Sequence, residues 1–418
     1  MFFPLDAAKT HSPRDDRPKV AIIVRGFDLP SAVATSSLHH AEALANDYSV
    51  TIITDESSAP SRHLGNEIKS HRIALIYLHW LRRFSHVPNE LLFILCVGFH
   101  LIFHHKRYNF NAVVFHSHPA TALLAPLLKR WLSCRTVMVM HGDIFDRPIG
   151  TYDSRLTFWY RITTQRAYRV VDAVIALSPY MRTLAIRGGA HQEKVFIVPN
   201  GVDPQEIGLN SKSDEDLGEL TTNITPIAPR EILFIGRIEY NKGVDILVQA
   251  FARVKDIIPD VMLRCIGAPN QVFMRQLSSQ IRQLSIQDSI IFTPAVSRLD
   301  LGSYYLRSTL VVVPSRSETQ STVLMESMAA GKPVVASDTG GNPMMVVENV
   351  TGLLFPSGDV EALSQALTKL LVNNTMTQAM GKAARQRHSE LYSLAKTRAQ
   401  FCNALNEVVS LSRNLNRP

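Results

Sequence analysis

At 418 residues the chain is long enough for two or three domains, and 46% hydrophobic with 19% charged residues is the balance of an ordinary globular protein. Twenty glycines and 22 prolines exclude a collagen-like or low-complexity chain. Four cysteines, Cys96, Cys134, Cys265 and Cys402, have no C-x-x-C spacing, which excludes a zinc ribbon or a legible disulfide framework and points to reduced thiols.

The formal net charge of +8 is unevenly spread. Residues 1–200 hold 23 basic and 15 acidic side chains, and the remainder holds 21 of each. Within the first half, residues 62–135 carry ten Lys or Arg against Glu67 and Glu90, with nine of the 15 histidines. That distribution argues against nucleic acid as a partner and for an anionic membrane surface or an anionic acceptor.

In chain order, the N-terminal MFFPLDAAKTHSPRDDRPK has acids and prolines where a secretory signal needs a basic start and a long apolar stretch, so a cytoplasmic chain is predicted. KVAIIVR (19–25), helical spacing at 36–45 and YSVTIIT (48–54) make a βαβ unit. Further short apolar runs follow at 71–77, 111–118, 135–141, 172–178 and 194–200, separated by helix-length segments. The run Leu91–Phe103 is about a third too short to cross a bilayer as a helix. Residues 209–229 read as a linker. A second alternating series places strands at 231–237, 261–267, 289–295, 309–315, 332–338 and 351–355, and 358–416 reads as helices.

The fold class predicted is therefore α/β, with two doubly wound parallel-sheet domains and a cleft between them. On such sheets, ligands bind beyond the carboxyl ends of the strands. The domains expected are 1–200, 201–390 and a helix over 391–418 packing back on the first.

Several motifs stand at strand ends. GRIEYNKG (Gly236–Gly243) puts Arg237 and Lys242 five residues apart with glycines for close backbone approach, which suits a diphosphate or, equally, a solvated loop. Glu318 precedes a predicted helix start near Ser321, and Glu326 lies within that helix. The N–H groups there can cap an anion while the carboxylates accept sugar hydroxyls, although two surface glutamates would have the same spacing. His141 ends the run RTVMVMH, where it can be a site residue or a core histidine. His116 and His118 share one strand face without a third metal ligand in view.

VPNGVD (198–203), GRIEYNKG, Glu318 with Glu326 eight residues on, ESMAAGKPVVASDTGG and TGLLFPSGD (351–359) together resemble the retaining GT-B glycosyltransferases of family four. The resemblance is specific over 194–373 and fainter before it. It implies a retaining, nucleotide-sugar-dependent hexosyltransferase whose acceptor hydroxyl belongs to a lipid-linked or polysaccharide precursor. By similarity, Gly236, Arg237 and Lys242 meet the diphosphate, and Ser321, Thr322 and Val323 cap it. Glu326 holds the ribose, Glu318 holds the transferred sugar, and His141 lies near sugar and acceptor. No cofactor and no catalytic metal are expected.

Three departures stand out: Gly26 is alone where the family often has a glycine pair, and Ser321 and Met344 stand where a glycine and a glutamate are common. The aromatic and basic stretch 69–110 reads either as a helix packed on the first sheet or as a surface for an anionic membrane, at its inner face. A same-fold epimerase or donor hydrolase, and a noncatalytic sugar-nucleotide binder, are the competing readings. A dinucleotide oxidoreductase is disfavoured because no strand is followed by G-x-G-x-x-G.

Overall fold

The computed structural model describes residues 17–24, 32–55, 68–73, 87–116, 119–142, 154–209 and 230–415. Gly26, His118, most of the predicted linker 209–229 and residues 74–86 lie outside the described residues.

The first series of strands is β1 (Lys19–Ile23), β2 (Ser49–Asp55), β3 (Ile68–Ile73), β4 (Ala112–His116), β5 (Arg135–Val139), β6 (Ala173–Ala176) and β7 (Val195–Ile197). They form one sheet in the order β3-β2-β1-β4-β5-β6-β7. The helices of this half are α1 (Ala32–Leu44), α2 (Val87–Tyr108), α3 (Pro119–Ala122), α4 (Ala125–Leu132), α5 (Ser154–Val170) and α6 (Pro179–Arg187). β1 pairs in parallel with both β2 and β4, and Val20–Ile23 are fully buried, as expected of a strand covered on both faces.

The second sheet holds β8 (Glu231–Ile235), β9 (Met262–Ile266), β10 (Ile290–Thr293), β11 (Leu310–Val313), β12 (Val334–Ser337) and β13 (Gly352–Phe355), in the order β10-β9-β8-β11-β12-β13. The accompanying helices are α7 (Val244–Ile257), α8 (Gln271–Gln283), α9 (Leu301–Arg307), α10 (Thr322–Ala329), α11 (Asn342–Met345), α12 (Val360–Val372), α13 (Asn374–Arg387) and α14 (Leu394–Leu415).

The period-2 alternation of these strands divides their side chains between two cores. Ile232, Phe234, Leu263, Cys265, Leu310 and Val312 pack with α7, α8 and α12. Leu233, Ile266, Val311, Val313, Val334 and Ala336 pack with α9, α10 and Ile207. Two helix layers on a parallel sheet bring the loops after β8 and β11 side by side. These strands are neighbours, and the chain order reverses between them.

By compactness the chain divides into one unit of residues 1–138, 170–172 and 405–418 and another of 139–169 and 173–404. In the first, Leu405 is fully buried and the Tyr48 hydroxyl donates to Asn406 Oδ1. The C-terminal helical stretch does not run continuously. A π-helical turn at His388–Tyr392 ends α13, and Ser393 is extended before α14. The break faces Val202, whose N–H donates to the Tyr392 carbonyl at 3.0 Å, while His388 Nε2 lies 3.1 Å from the Val202 carbonyl oxygen.

Candidate active site

The loop after β8 is shaped by glycine. Gly243 sits at φ +67°, and a Cβ there would lie 1.9 Å from the Pro314 carbonyl oxygen, so the loop presses directly against the end of β11. Arg316 fastens the two loops further. Its guanidinium makes a bidentate pair with Asp245 at 2.9 and 2.7 Å and lies 3.8 Å from the centre of the Tyr240 ring. Its backbone N–H donates to the Asn241 carbonyl at 2.8 Å.

This anchoring brings Lys242 and Glu318 together. Lys242 Nζ donates to Glu318 Oε1 at 2.6 Å, and the Ser315 hydroxyl donates to the same oxygen at 2.8 Å. Glu318 Oε2 has no partner among the described residues. It is an acceptor free to take a hydroxyl. The backbone behind Glu318 is clamped by Gly340, at φ +56°, where a Cβ would lie 1.7 Å from the Glu318 carbonyl oxygen. The Gly341 N–H donates to that same oxygen at 2.8 Å.

Arg237 is placed differently. It is largely exposed and pairs with Glu239 at 2.9 Å, so it stands at the rim of the loop that begins at Gly236. Helix α10 starts where expected, with Ser321 as its N-cap. The Ser321 side chain makes no capping bond, which leaves the first-turn N–H groups, those of Thr322 and Val323 among them, without a side-chain acceptor. An anion suits such a helix start.

Glu326 is only 4% exposed. It accepts from the Tyr305 hydroxyl at 2.8 Å, and Arg298 Nη2 lies 3.3 Å from its other oxygen. Arg298 also reaches Glu206 at 3.5 Å. Burial pushes the Glu326 carboxyl up and the Tyr305 phenol well up, with Arg298 opposing both. The carboxylate thus sits in a prepared socket rather than on a solvated helix face. His141 lies two residues beyond β5 rather than at its last position. Desolvation holds its imidazole down to about 4, so at neutral pH it is an uncharged hydrogen-bonding group. The VPNGVD phrase contributes the Asn200 N–H, which donates to Gln320 Oε1 at 3.0 Å just before α10.

Of the residues named from the sequence, the structure joins Lys242 to Glu318 and places Glu326 within α10. Ser315, Arg316, Asp245, Tyr305 and Arg298, which hold these side chains and loops, were not named from the sequence. Ser315 and Arg316 stand in the phrase SRSE and Asp245 two residues beyond Gly243, but no spacing announces that Arg316 meets Asp245 across 71 positions. His116 contacts His40 at 3.4 Å, and no group of three or more potential metal ligands occurs among the described residues.

Comparison with known proteins shows the family. Residues 224–387 match the family described as glycosyl transferases group 1, and residues 33–206 match glycosyltransferase family 4. The alpha-maltose-1-phosphate synthase of Mycolicibacterium smegmatis is 34% identical over 322 residues, 71% of this chain and 79% of that protein. The chain is a family 4, group 1 glycosyltransferase.

The D-inositol 3-phosphate glycosyltransferase of Segniliparus rotundus is 32% identical over 196 residues, 46% of this chain and 43% of that protein. The chain thus spans under half the length of that relative and about half of several like it. In fold, the glycosyltransferase is similar to sucrose-phosphate synthase from Thermosynechococcus elongatus, with a TM-score of 0.77, 20% identity, and 94% of this chain and all of that one covered. Anabaena HepE in complex with UDP and glucose gives a TM-score of 0.71 at 18% identity, covering 93% of this chain and all of that one. These likenesses establish the GT-B fold.

Proposed function

We propose that this glycosyltransferase moves a hexose from a nucleotide-diphosphate sugar to an acceptor hydroxyl with retention at the anomeric carbon. The observation that carries the reading is the Lys242–Glu318 pair, held at 2.6 Å by two locked loops at the carboxyl ends of adjacent strands β8 and β11. A cation and a sugar-hydroxyl acceptor in direct contact are what a phosphate-linked sugar needs at the bond that breaks.

In this reading Lys242 turns from Glu318 to the leaving diphosphate, with Arg237 and the N–H groups of α10 adding positive potential. Those groups carry the phosphate charge without a resident metal. Glu318 orients the hexose, Glu326 in its Arg298–Tyr305 socket accepts the ribose hydroxyls, and neutral His141 hydrogen-bonds near the transferred sugar. The bond from the anomeric carbon to the phosphate oxygen breaks, and the acceptor oxygen bonds to that carbon from the same face. The acceptor's hydroxyl proton passes to the departing phosphate oxygen, so no covalent enzyme intermediate is needed.

The basic first half favours an anionic acceptor, reached at the inner, cytoplasmic face of a membrane through residues 69–110. The names of two relatives, an inositol 3-phosphate glycosyltransferase and a maltose-1-phosphate synthase, favour a second reading of the acceptor as a soluble phosphorylated polyol or sugar.

Nucleotide release from UDP-, GDP- and ADP-hexoses, with lipid extract, with sugar or inositol phosphates, or with neither, tests the proposal. Release that depends on an acceptor, giving a product of unchanged anomeric configuration by proton NMR, is expected. Release independent of any acceptor would instead indicate a hydrolase or epimerase, and binding without turnover a noncatalytic module.

A further inference from the structure

Helix α2 turns an apolar face outward. Phe93, Val97 and Leu101 are fully buried, and Gly98 lets the helix approach Leu124, where a Cβ would lie 3.2 Å from a Leu124 methyl. α2 packs against α3 and α4 on this side. On the other side, four residues apart, Leu91 is 49% exposed, Leu95 69%, Phe99 64% and Phe103 69%. The Phe99 and Phe103 rings stack with centroids 5.5 Å apart.

A surface helix of a globular protein ordinarily presents polar side chains to water. Between Leu91 and Phe103 every position in the exposed class is a large hydrophobic residue, over a ridge about 18 Å long at the α-helical rise.

The neighbouring α4 adds two groups that suit a boundary between water and hydrocarbon. Its last turn carries exposed Arg130 and is followed within the helix by Trp131, 62% exposed. The charge around the ridge is predominantly basic, with Glu90 the one acid between Val87 and Gly142. No acidic residue occurs from Leu91 to Gly142, and Lys106 and Arg107 stand in the last turn of α2. Among the described residues no helix is long and apolar enough to cross a membrane.

We propose that the outward face of α2, Leu91–Leu95–Phe99–Phe103, docks onto an anionic lipid surface. The helix lies in the plane of the interface with its outward apolar side chains among the acyl chains, and the basic excess of this stretch favours anionic phosphates. Self-association through the same ridge would bring two predominantly basic surfaces together, with Glu90 the one acid of α2 to offset them. Anionic headgroups over hydrocarbon supply both the opposite charge and the apolar phase. The inference rests on, and narrows, the reading of residues 69–110 as membrane-facing, and it is independent of the donor chemistry.

The test is sedimentation of the full chain with vesicles of phosphatidylglycerol and phosphatidylcholine in equal parts, and with phosphatidylcholine alone, in the absence of any nucleotide sugar. Binding to the anionic vesicles, weakened by salt, is expected, and the doubly substituted Phe99→Ser/Phe103→Ser chain should bind about tenfold more weakly or worse. Circular dichroism melting checks that this chain folds, and Leu95→Gln provides a milder variant that should weaken binding in the same direction. No binding to anionic vesicles, or equal binding by the folded variants, would overturn the proposal. So would a dimer in lipid-free solution that the double substitution dissociates. Because donor turnover is measured separately, absence of vesicle binding by the parent chain with turnover intact rejects the docking face alone, and vesicle binding without turnover rejects the transferase reading alone.

Discussion

The loops between β8 and α11 and the helix α2 are opposite solutions to the use of surface. In the loops, glycines let backbone press on backbone, Arg316 ties two strand ends together, and each predicted charge has a partner at a defined distance. Along α2 the outward side chains are apolar and about half or more exposed, although a row of the same helix is fully buried. The first arrangement spends its contacts on holding a few groups still, as a small ligand with a fixed diphosphate requires. The second leaves area uncovered, which suits a broad and deformable partner. The charge follows the same division, with the whole excess of basic residues in the first half.

The sharpest way to break this contrast is to remove the held cation. Lys242→Ala should lower kcat/KM by about two to three orders of magnitude in the nucleotide-release assay, because the proposed reading sets this charge against the leaving group. A residual activity within a few-fold of the parent would show that the locked loops serve some other end.

Next in size is Gly340→Ala. Its Cβ would stand 1.7 Å from the Glu318 carbonyl oxygen at a left-handed φ, so the loop must move. A loss of about 2 kcal/mol or more in urea unfolding is expected, with weakened nucleotide binding. An unchanged melting point would mean that the clamp on Glu318 is loose.

Arg298 and Tyr305 sharpen the comparison on a smaller scale. Arg298→Ala or Tyr305→Phe removes one support of the buried Glu326 carboxylate, and the donor KM should rise about tenfold with little change in kcat. Arg298→Lys should restore part of the loss, which a purely structural defect would not allow.

The smallest effect expected is in pH dependence. The unfolded chain takes up a proton at His141 near 6.5 and the folded protein only near 4. Between those values the unfolded state binds more protons, so stability rises with pH across the window and this contribution is complete above it. His141→Asn should flatten part of the acid slope of the melting temperature, leaving the part due to His388, whose imidazole is also lowered by burial.

Much of the architecture was legible because each strand is a short β-branched run bounded by turn residues, and all thirteen described strands fall on the runs read from the chain. For β3 only its last three residues fall within the predicted run 71–77. The loops after β8 and β11 were legible as loops because glycine beside Arg, Lys and Glu stands at strand ends, although those residues alone fit a solvated loop equally well. What escaped was long-range. The Glu326 socket is assembled from Tyr305 and Arg298, 21 and 28 positions away, and hydrophobic periodicity carries no trace of it. The outward face of α2 escaped for the opposite reason. Leu91–Phe103 is apolar nearly all round, so its sequence could not say which row is packed and which is bare. The π-turn at His388 was hidden because the backbone it meets, Val202, lies nearly two hundred residues earlier.

The most direct test of the central claim is calorimetric titration of UDP, GDP and ADP into the intact chain and into Lys242→Ala. The account predicts that at least one nucleoside diphosphate binds the parent protein and that the substitution weakens it about tenfold or more. Failure of all three to bind, or equal affinity in the two proteins, would contradict the assignment of the Lys242–Glu318 pair to the donor diphosphate.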